Sequence, residues 1–175
     1  MKSRTSRTRR APRSLSHLEA ASKGGASRMV DVSKKRVSSR SALARAAIVF
    51  PPGLLERVLA AQGPKGAVEE VARAAGMLAA KRTGELIPMC HPLGLDHLSL
   101  EFVRAGRDRL EVRCRAACRG RTGVEMEAMT GAAVAALVIY DMTKGLDHGI
   151  RIEALELLEK RGGKSGTWKA AKTSS

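Results

Sequence analysis

Residues 122–144 read TGVEMEAMTGAAVAALVIYDMTK, and this stretch restricts the fold more than any other part of the chain. Its interior is rich in Ala, Leu, Met and Val, and Thr122 followed three residues later by Glu125 has the form of a capping box, so a helix is expected over 122–144. Apolar residues fall on every side of the middle turns, which predicts a largely buried helix. Glu125 and Glu127 make the first turn acidic, as the macrodipole prefers. Asp141, in the last turn, faces the negative end of that dipole and needs a cation such as Lys144, one turn on, to compensate it. The two charged ends stand apart: at 1.5 Å per residue, Glu125 and Asp141 lie about 24 Å from one another along a straight helix. They cannot share one small-molecule site within a single chain. If they serve one site, a second copy must supply one end.

The remaining segments supply a sheet for this helix to cover. Residues 32–50 carry β-branched and small residues with partial alternation and read as a strand that ends at Pro51-Pro52-Gly53. A short helix follows over 54–62, stopped by Gly63-Pro64, and a second amphipathic helix over 68–82 has Val71, Ala75, Leu78 and Ala79 at helical spacing. Residues 83–95 contain IPMCHPLG, a Pro-interrupted loop too apolar for a solvated connector and so expected to be packed and rigid. Residues 97–105 and 110–118 alternate as two strands joined by the hairpin signal Gly106-Arg107-Asp108-Arg109, and 150–158 alternate as a last strand. Strand, helices, strand, strand, helix, strand is the split βαβ order of an α+β ferredoxin-like sandwich, an antiparallel sheet covered by helices on one face.

A chain of 175 residues with 43% apolar content suits one domain with a real core. The domain is expected over 29–168, after a disordered basic tail over 1–28 and before a flexible terminus over 169–175. No apolar run is long enough, free of charge, to span a membrane. Cys90, Cys114 and Cys118 without a signal peptide point to a reducing cytoplasm. Cys114 and Cys118, four apart in a strand, share a face but match no metal-ligand spacing. The net charge is +15. Residues 1–28 hold eight basic residues against Glu19, so about half of the excess lies in the tail. An aromatic content of 2% is too low to provide stacking platforms for single-stranded nucleic acid, which leaves the tail as a weak, electrostatic contact at most.

Three further groups can carry chemistry. Lys65-Gly66, just before a helix, either presents an ammonium and backbone amides to an anion or is a solvated turn. Cys90-His91 sits between Pro88 and Pro92, so His91 is either a general acid or base held in a restrained loop or a packing residue. Gly162-Gly163-Lys164-Ser165-Gly166 fails the phosphate-loop pattern, because Leu158 stands where the leading glycine belongs and no helix follows. It is either a Gly-rich basic segment on phosphate or a plain terminus. His17, His97 and His148 read as surface residues.

Taken together, MVDVS at Met29, PKG at Pro64, AAKRT at Ala79, LIPMCHPL at Leu86, TGVEMEAMT at Thr122, YDMTK at Tyr140 and EKRGGKSG at Glu159 resemble the cyclic pyranopterin monophosphate synthases of molybdenum-cofactor biosynthesis. The resemblance spans nearly all of the chain beyond the first dozen residues. It implies a ferredoxin-like subunit in a homohexamer, a trimer of dimers, with active sites at subunit interfaces and no cofactor or metal. The substrate would be the 3′,8-cyclic dihydro derivative of GTP made upstream by a radical SAM GTP cyclase, rearranged with loss of diphosphate. The catalytic aspartate of that family matches Asp141, its essential lysines match Lys65 and Lys144, its substrate loop matches Met89, Cys90 and His91, and its helix-start contacts match Glu125, Met126 and Glu127. Lys65, Lys144 and Lys164 would meet the triphosphate, and Asp141, Lys144 and His91 would move protons.

Three positions depart from the usual pattern of these enzymes. Met89 replaces Leu and Arg121 replaces Lys, both near-neutral changes in volume or charge. Ala67 replaces an Asp that either orients the neighbouring lysine or caps a helix. A ferredoxin-like RNA-binding module and a family member kept as a scaffold are the alternative readings.

Overall fold

The computed structural model of the chain describes residues 28–63 and 66–171. Met1–Val30 and Asp31–Ser175 form separate units. Of the first, residues 28–30 are exposed and without regular structure; the rest of the expected basic tail lies outside the described residues.

The second unit carries the strands and helices. In chain order they are β1 (Ser38–Val49), α1 (Leu54–Ala60), β2 (Gln62–Gly63), β3 (Gly66–Ala67), α2 (Val68–Lys81), α3 (Thr83–Leu86), β4 (His97–Arg104), β5 (Arg109–Gly120), α4 (Glu125–Thr143), β6 (Arg151–Arg161) and β7 (Trp168–Lys169). The main sheet runs β4-β5-β1-β6-β7 with every neighbouring pair antiparallel. With α2 between β1 and β4, and α4 between β5 and β6, this is the α+β ferredoxin-like sandwich that the element order predicts.

Side chains alternate across the sheet as the period of two requires. On the helix side β1 contributes Ala42, Ala44, Ala46 and Ile48, and β5 contributes Leu110, Val112, Cys114, Ala116 and Cys118, all buried. Alanines dominate the centre because α4 lies directly over β1 and leaves no room for longer side chains. The opposite face is charged. Glu111, only 3% exposed, lies under two guanidinium groups, Arg45 at 2.8 Å and Arg113 at 2.8 Å, and Arg45 also reaches Glu156 at 2.6 Å.

The two long helices touch backbone to backbone. A Cβ added at Gly76 of α2 would come within 2.8 Å of the Gly131 carbonyl oxygen and 3.0 Å of Ala135 Cβ. One added at Gly131 of α4 would come within 2.7 Å of Cys114 Sγ and 3.2 Å of Ala80 Cβ. Because Gly76 meets Ala135 while Ala80 meets Gly131, the helices are antiparallel. The start of α2 therefore lies toward the end of α4, and the segment after α2 lies toward its start.

Several boundaries differ from the expectation for physical reasons. The α4 helix begins at Glu125 after Val124, with no side-chain cap; Thr122 does not close a capping box. Val124 is 1% exposed, so a buried apolar residue anchors this end instead. Nor is α4 buried all round, since Met126 is 38% and Leu137 56% exposed. The β1 strand starts at Ser38, not residue 32, because Asp31 Oδ1 accepts the Ser33 N–H at 2.8 Å and turns the chain. The α1 helix stops at Ala60, and β2 and β3 pair Gln62 with Ala67 and Gly63 with Gly66. The apolar loop contains α3, whose Thr83 hydroxyl donates back to the Ala80 carbonyl at 3.0 Å. Contrary to a fully packed loop, Leu86, Ile87 and Met89 are exposed. Near the C-terminus, β6 runs to Arg161, and Gly162 and Gly163, with φ of 93° and 71°, turn the chain back into β7. Among the described residues no helix is long and apolar enough to cross a membrane.

Candidate functional site

Antiparallel packing of α2 on α4 sorts the candidate residues into two groups, one at each end of α4. The segment that follows α2 brings Met89, Cys90 and His91 to the start of α4, where Glu125, Met126 and Glu127 project from its first turn. The end of α4 carries Asp141 and Lys144 on the side from which α2 begins.

At the start of α4 the dominant fact is Glu127. It is 4% exposed, and its Oε2 has no hydrogen-bond partner among the described residues. Burial pushes its carboxyl above the usual carboxylate range, and the neighbouring Glu125 charge pushes the same way; a bond to its own backbone N–H opposes them only in part. Around it, burial raises the Cys90 and Cys118 thiols, and the Glu127 carboxyl contributes to both. Cys114, deeper under the helices, is pushed up to about 12 by burial alone. A buried thiol with so high a value is inert packing, not a nucleophile.

The junction that feeds this end is pinned by Arg40 from β1. Its Nε donates to the Gly120 carbonyl at 3.0 Å and its Nη2 to the Arg121 carbonyl at 3.2 Å, so the last backbone groups of β5 are fixed before the chain enters α4. Asp96 Oδ2 accepts the Arg119 N–H at 2.7 Å and ties the loop after His91 to the same junction. A depression of about 370 Å³ opens here, lined by Val32, Val37, His91, Pro92, Leu93, Gly120, Arg121 and Thr122. Lys164 is exposed in the turn between β6 and β7. That turn lies against β1, because a Cβ on Gly162 would come within 3.3 Å of Arg40 Cα. Lys164 therefore belongs to this end of α4.

The other end is open. Lys144 Nζ donates to Asp141 Oδ1 at 2.7 Å, with the two side chains 58% and 57% exposed. The bond to Asp141 raises the Lys144 ammonium above its ordinary value. This is the compensation that Asp141 needs at the negative end of the dipole. Lys65 lies outside the described residues. Its neighbour Ala67 occupies the N-cap of α2, with φ −63° and ψ 130° and no side-chain cap bond. An Asp at this position would stand where helix caps stand. His97 and His148 are exposed; His17 lies outside the described residues.

Two features of the site escaped the sequence. Arg40 is one arginine among many, and its only signal is a long cation within an otherwise small-residue strand, SSRSALA. The burial of Glu127 has no local signal at all, since it is set by tertiary packing around the first turn of α4.

A ferredoxin-like α+β protein with ionisable groups gathered at both ends of one central helix is the class these observations define. The MoaC family matches residues 29–163. A cyclic pyranopterin monophosphate synthase of Novosphingobium aromaticivorans is 51% identical over 157 residues, covering 90% of this chain and 98% of that protein. Synthases of the same name from Chloroflexus aggregans and Chloroflexus aurantiacus are 50% and 48% identical, each covering 88% of this chain and 92% and 93% of their own lengths. The chain belongs to the MoaC family.

Proposed function

We propose that this chain is a cyclic pyranopterin monophosphate synthase of molybdenum-cofactor biosynthesis. It converts the 3′,8-cyclic dihydro derivative of GTP to cyclic pyranopterin monophosphate and releases diphosphate. The observation that carries this reading is the near full-length likeness, at about half identity, to enzymes of that name.

The residues suit the chemistry. Release of diphosphate builds negative charge on the leaving group, which fixed cations stabilise. Lys144, kept charged by Asp141, supplies one, and Lys65 and Lys164 supply others. Rearranging the purine-derived ring requires protons to leave and arrive at defined atoms, and in this reading Asp141, Lys144 and His91 serve as acid and base. Met89, Cys90 and Met126 give the ring system an apolar contact. Glu125 and Glu127 address its N–H edge, and their unequal burial separates their roles. Glu125 is half-buried and offers acceptor oxygens, while burial raises the Glu127 carboxyl and favours its protonated, hydrogen-bond-donating form.

In this reading the enzyme works in the cytoplasm as a homohexamer, downstream of a radical SAM GTP cyclase, and each site takes one end of α4 from each of two subunits. The separation of the two groups along one 19-residue helix supports that arrangement. The test is to incubate the purified chain with the upstream cyclic nucleotide and to look for the pterin product and diphosphate by mass spectrometry. Intact substrate after prolonged incubation with a folded, assembled preparation refutes the assignment.

A further inference from the structure

One cation of β1 faces the helices. By the period of two, Arg40 shares its side of the sheet with Ala42, Ala44, Ala46 and Ile48, and it lies opposite the buried Cys118 of β5. A half-buried guanidinium in so apolar a row is costly unless its donors are used. Two of its three nitrogens are used on backbone: Nε donates to the Gly120 carbonyl at 3.0 Å and Nη2 to the Arg121 carbonyl at 3.2 Å. The third, Nη1, abuts the turn over residues 162–166. A Cβ on Gly163 would run into it, and one on Gly162 would come within 3.3 Å of Arg40 Cα. From its own side the turn is closed by the Lys160 ammonium, which donates to the Ser165 hydroxyl, and by the Gly166 N–H, which donates to the Gly163 carbonyl at 3.2 Å. Lys164 stands exposed within it.

We propose that Arg40 is a positioning residue: its guanidinium fixes the β5–α4 junction and the 162–166 turn against one another, and so sets where Lys164 stands relative to Glu125 and Glu127. The inference rests on the function proposed above, in which Lys164 meets the triphosphate and the first turn of α4 meets the ring. It names the residue that sets the spacing between them. Arg40 acts through backbone groups and not through substrate. Both of its acceptors are peptide carbonyls of successive residues, so its bonds hold the chain in place and neutralise no carboxylate. Lysine cannot do the same, because an ammonium carries the charge without the planar fork that reaches two carbonyls while lying against a glycine backbone. The spacing matters because a cation stabilises a leaving group only if it already stands where the charge develops, and a displacement of about 1 Å can cost about 10²-fold in rate.

Arg40→Lys keeps the charge and removes the fork, and amide hydrogen exchange of the full chain reads the result without any substrate. Exchange should speed up together in residues 119–124 and 162–170, while the β4–β5 hairpin at residues 104–110 stays as it is. A rise in one segment only, in neither, or throughout the chain overturns the coupling. Gly163→Ala disturbs the same guanidinium from the turn, and it should speed exchange at residues 119–124, distant in sequence; a rise confined to residues 162–170 overturns the coupling as well. The kinetic arm is a double-mutant cycle in kcat/KM. Arg40→Lys alone should lower kcat/KM by about 10²-fold. Added to Lys164→Ala it should cost less than about threefold, because no ammonium is left to place. Losses that simply add overturn the role, since general damage to the fold would give them too. Turnover of the cyclic nucleotide by the unsubstituted chain is measured first. Turnover with additive losses leaves the function and removes the role of Arg40; absence of turnover removes the function, and exchange alone then decides the coupling.

Discussion

The two ends of α4 are opposites. At its start, the buried Val124 anchors the helix and the Glu127 carboxyl has almost no contact with water. At its end, an aspartate and a lysine pair in the open, each more than half exposed. Groups at the first end are positioned by packing, so their chemistry is already tuned within one protomer. Groups at the second end stand in the open, where the Lys144–Asp141 ion pair is exposed to water. The contrast teaches that activity and stability should respond to substitution in different proportions at the two ends.

The largest effects belong to the open end and to activity alone. Asp141→Asn and Lys144→Ala should each lower kcat by about 10²–10⁴-fold, the range for a lost proton-transfer group. Their melting temperature should stay close to that of the unsubstituted chain, because exposed ion pairs contribute little to stability. Glu127→Ala, at the closed end, should lower activity and melting temperature together. If Asp141→Asn destabilises as much as Glu127→Ala, the open end is not open and the contrast fails. Calorimetry beside a turnover assay decides it.

Next comes the contact that sets the ends in place. Gly76→Ala forces a Cβ to within 2.8 Å of a carbonyl oxygen that cannot move without moving α4. Overpacking of this kind costs about 1–3 kcal/mol. Denaturant unfolding should show a midpoint shift of that size, although Gly76 is remote from every candidate site residue.

Much of this architecture was legible beforehand, and the reasons are local. Alternation in β4, β5 and β6, the Gly106 turn and the continuous apolar run of α4 each follow from side-chain period or turn chemistry. The opposition of the two ends also followed from counting residues along α4. What local pattern could not supply is anything made by tertiary approach. Thr122 and Glu125 have the spacing of a capping box, yet Val124 is pulled into the core and the helix starts without one. The GGKSG segment has the composition of a loose terminus, but a return strand over Trp168–Lys169 makes it a hairpin turn beside Arg40. Leu86 and Met89 look like core residues by composition and are exposed in the protomer.

A smaller effect sharpens the contrast at the open end. Ala67 sits at the N-cap of α2, on the same side as Asp141, and leaves that helix uncapped. Ala67→Asp should stabilise the chain by about 0.5–2 kcal/mol through a side-chain bond to the first free backbone amides. A matching gain in thermal stability with unchanged kcat assigns the position to capping. A rise in kcat without a gain in stability assigns it to orientation of Lys65 instead.

The smallest effect is a slope with pH, and it has opposite placement at the two ends. Burial raises the Glu127 carboxyl above its ordinary value. Between the ordinary carboxylate pKa and that raised value, the folded state holds a proton that the unfolded state has released, so stability falls as pH rises through the window. Glu127→Gln keeps the shape and removes the titration, so its stability curve should be flatter over the same interval and the two chains should converge at lower pH. Lys144 is also raised, but its contribution is present below the ordinary lysine pKa and is lost only as pH rises through the higher folded value. Lys144→Met therefore loses the linkage of its own ammonium only at alkaline pH, and any change it makes in the acidic limb comes from Asp141, the carboxylate it leaves without its lysine. Thermal unfolding of both variants from pH 4 to pH 8 separates the ends, and an acidic slope that survives Glu127→Gln would place the buried proton on another group.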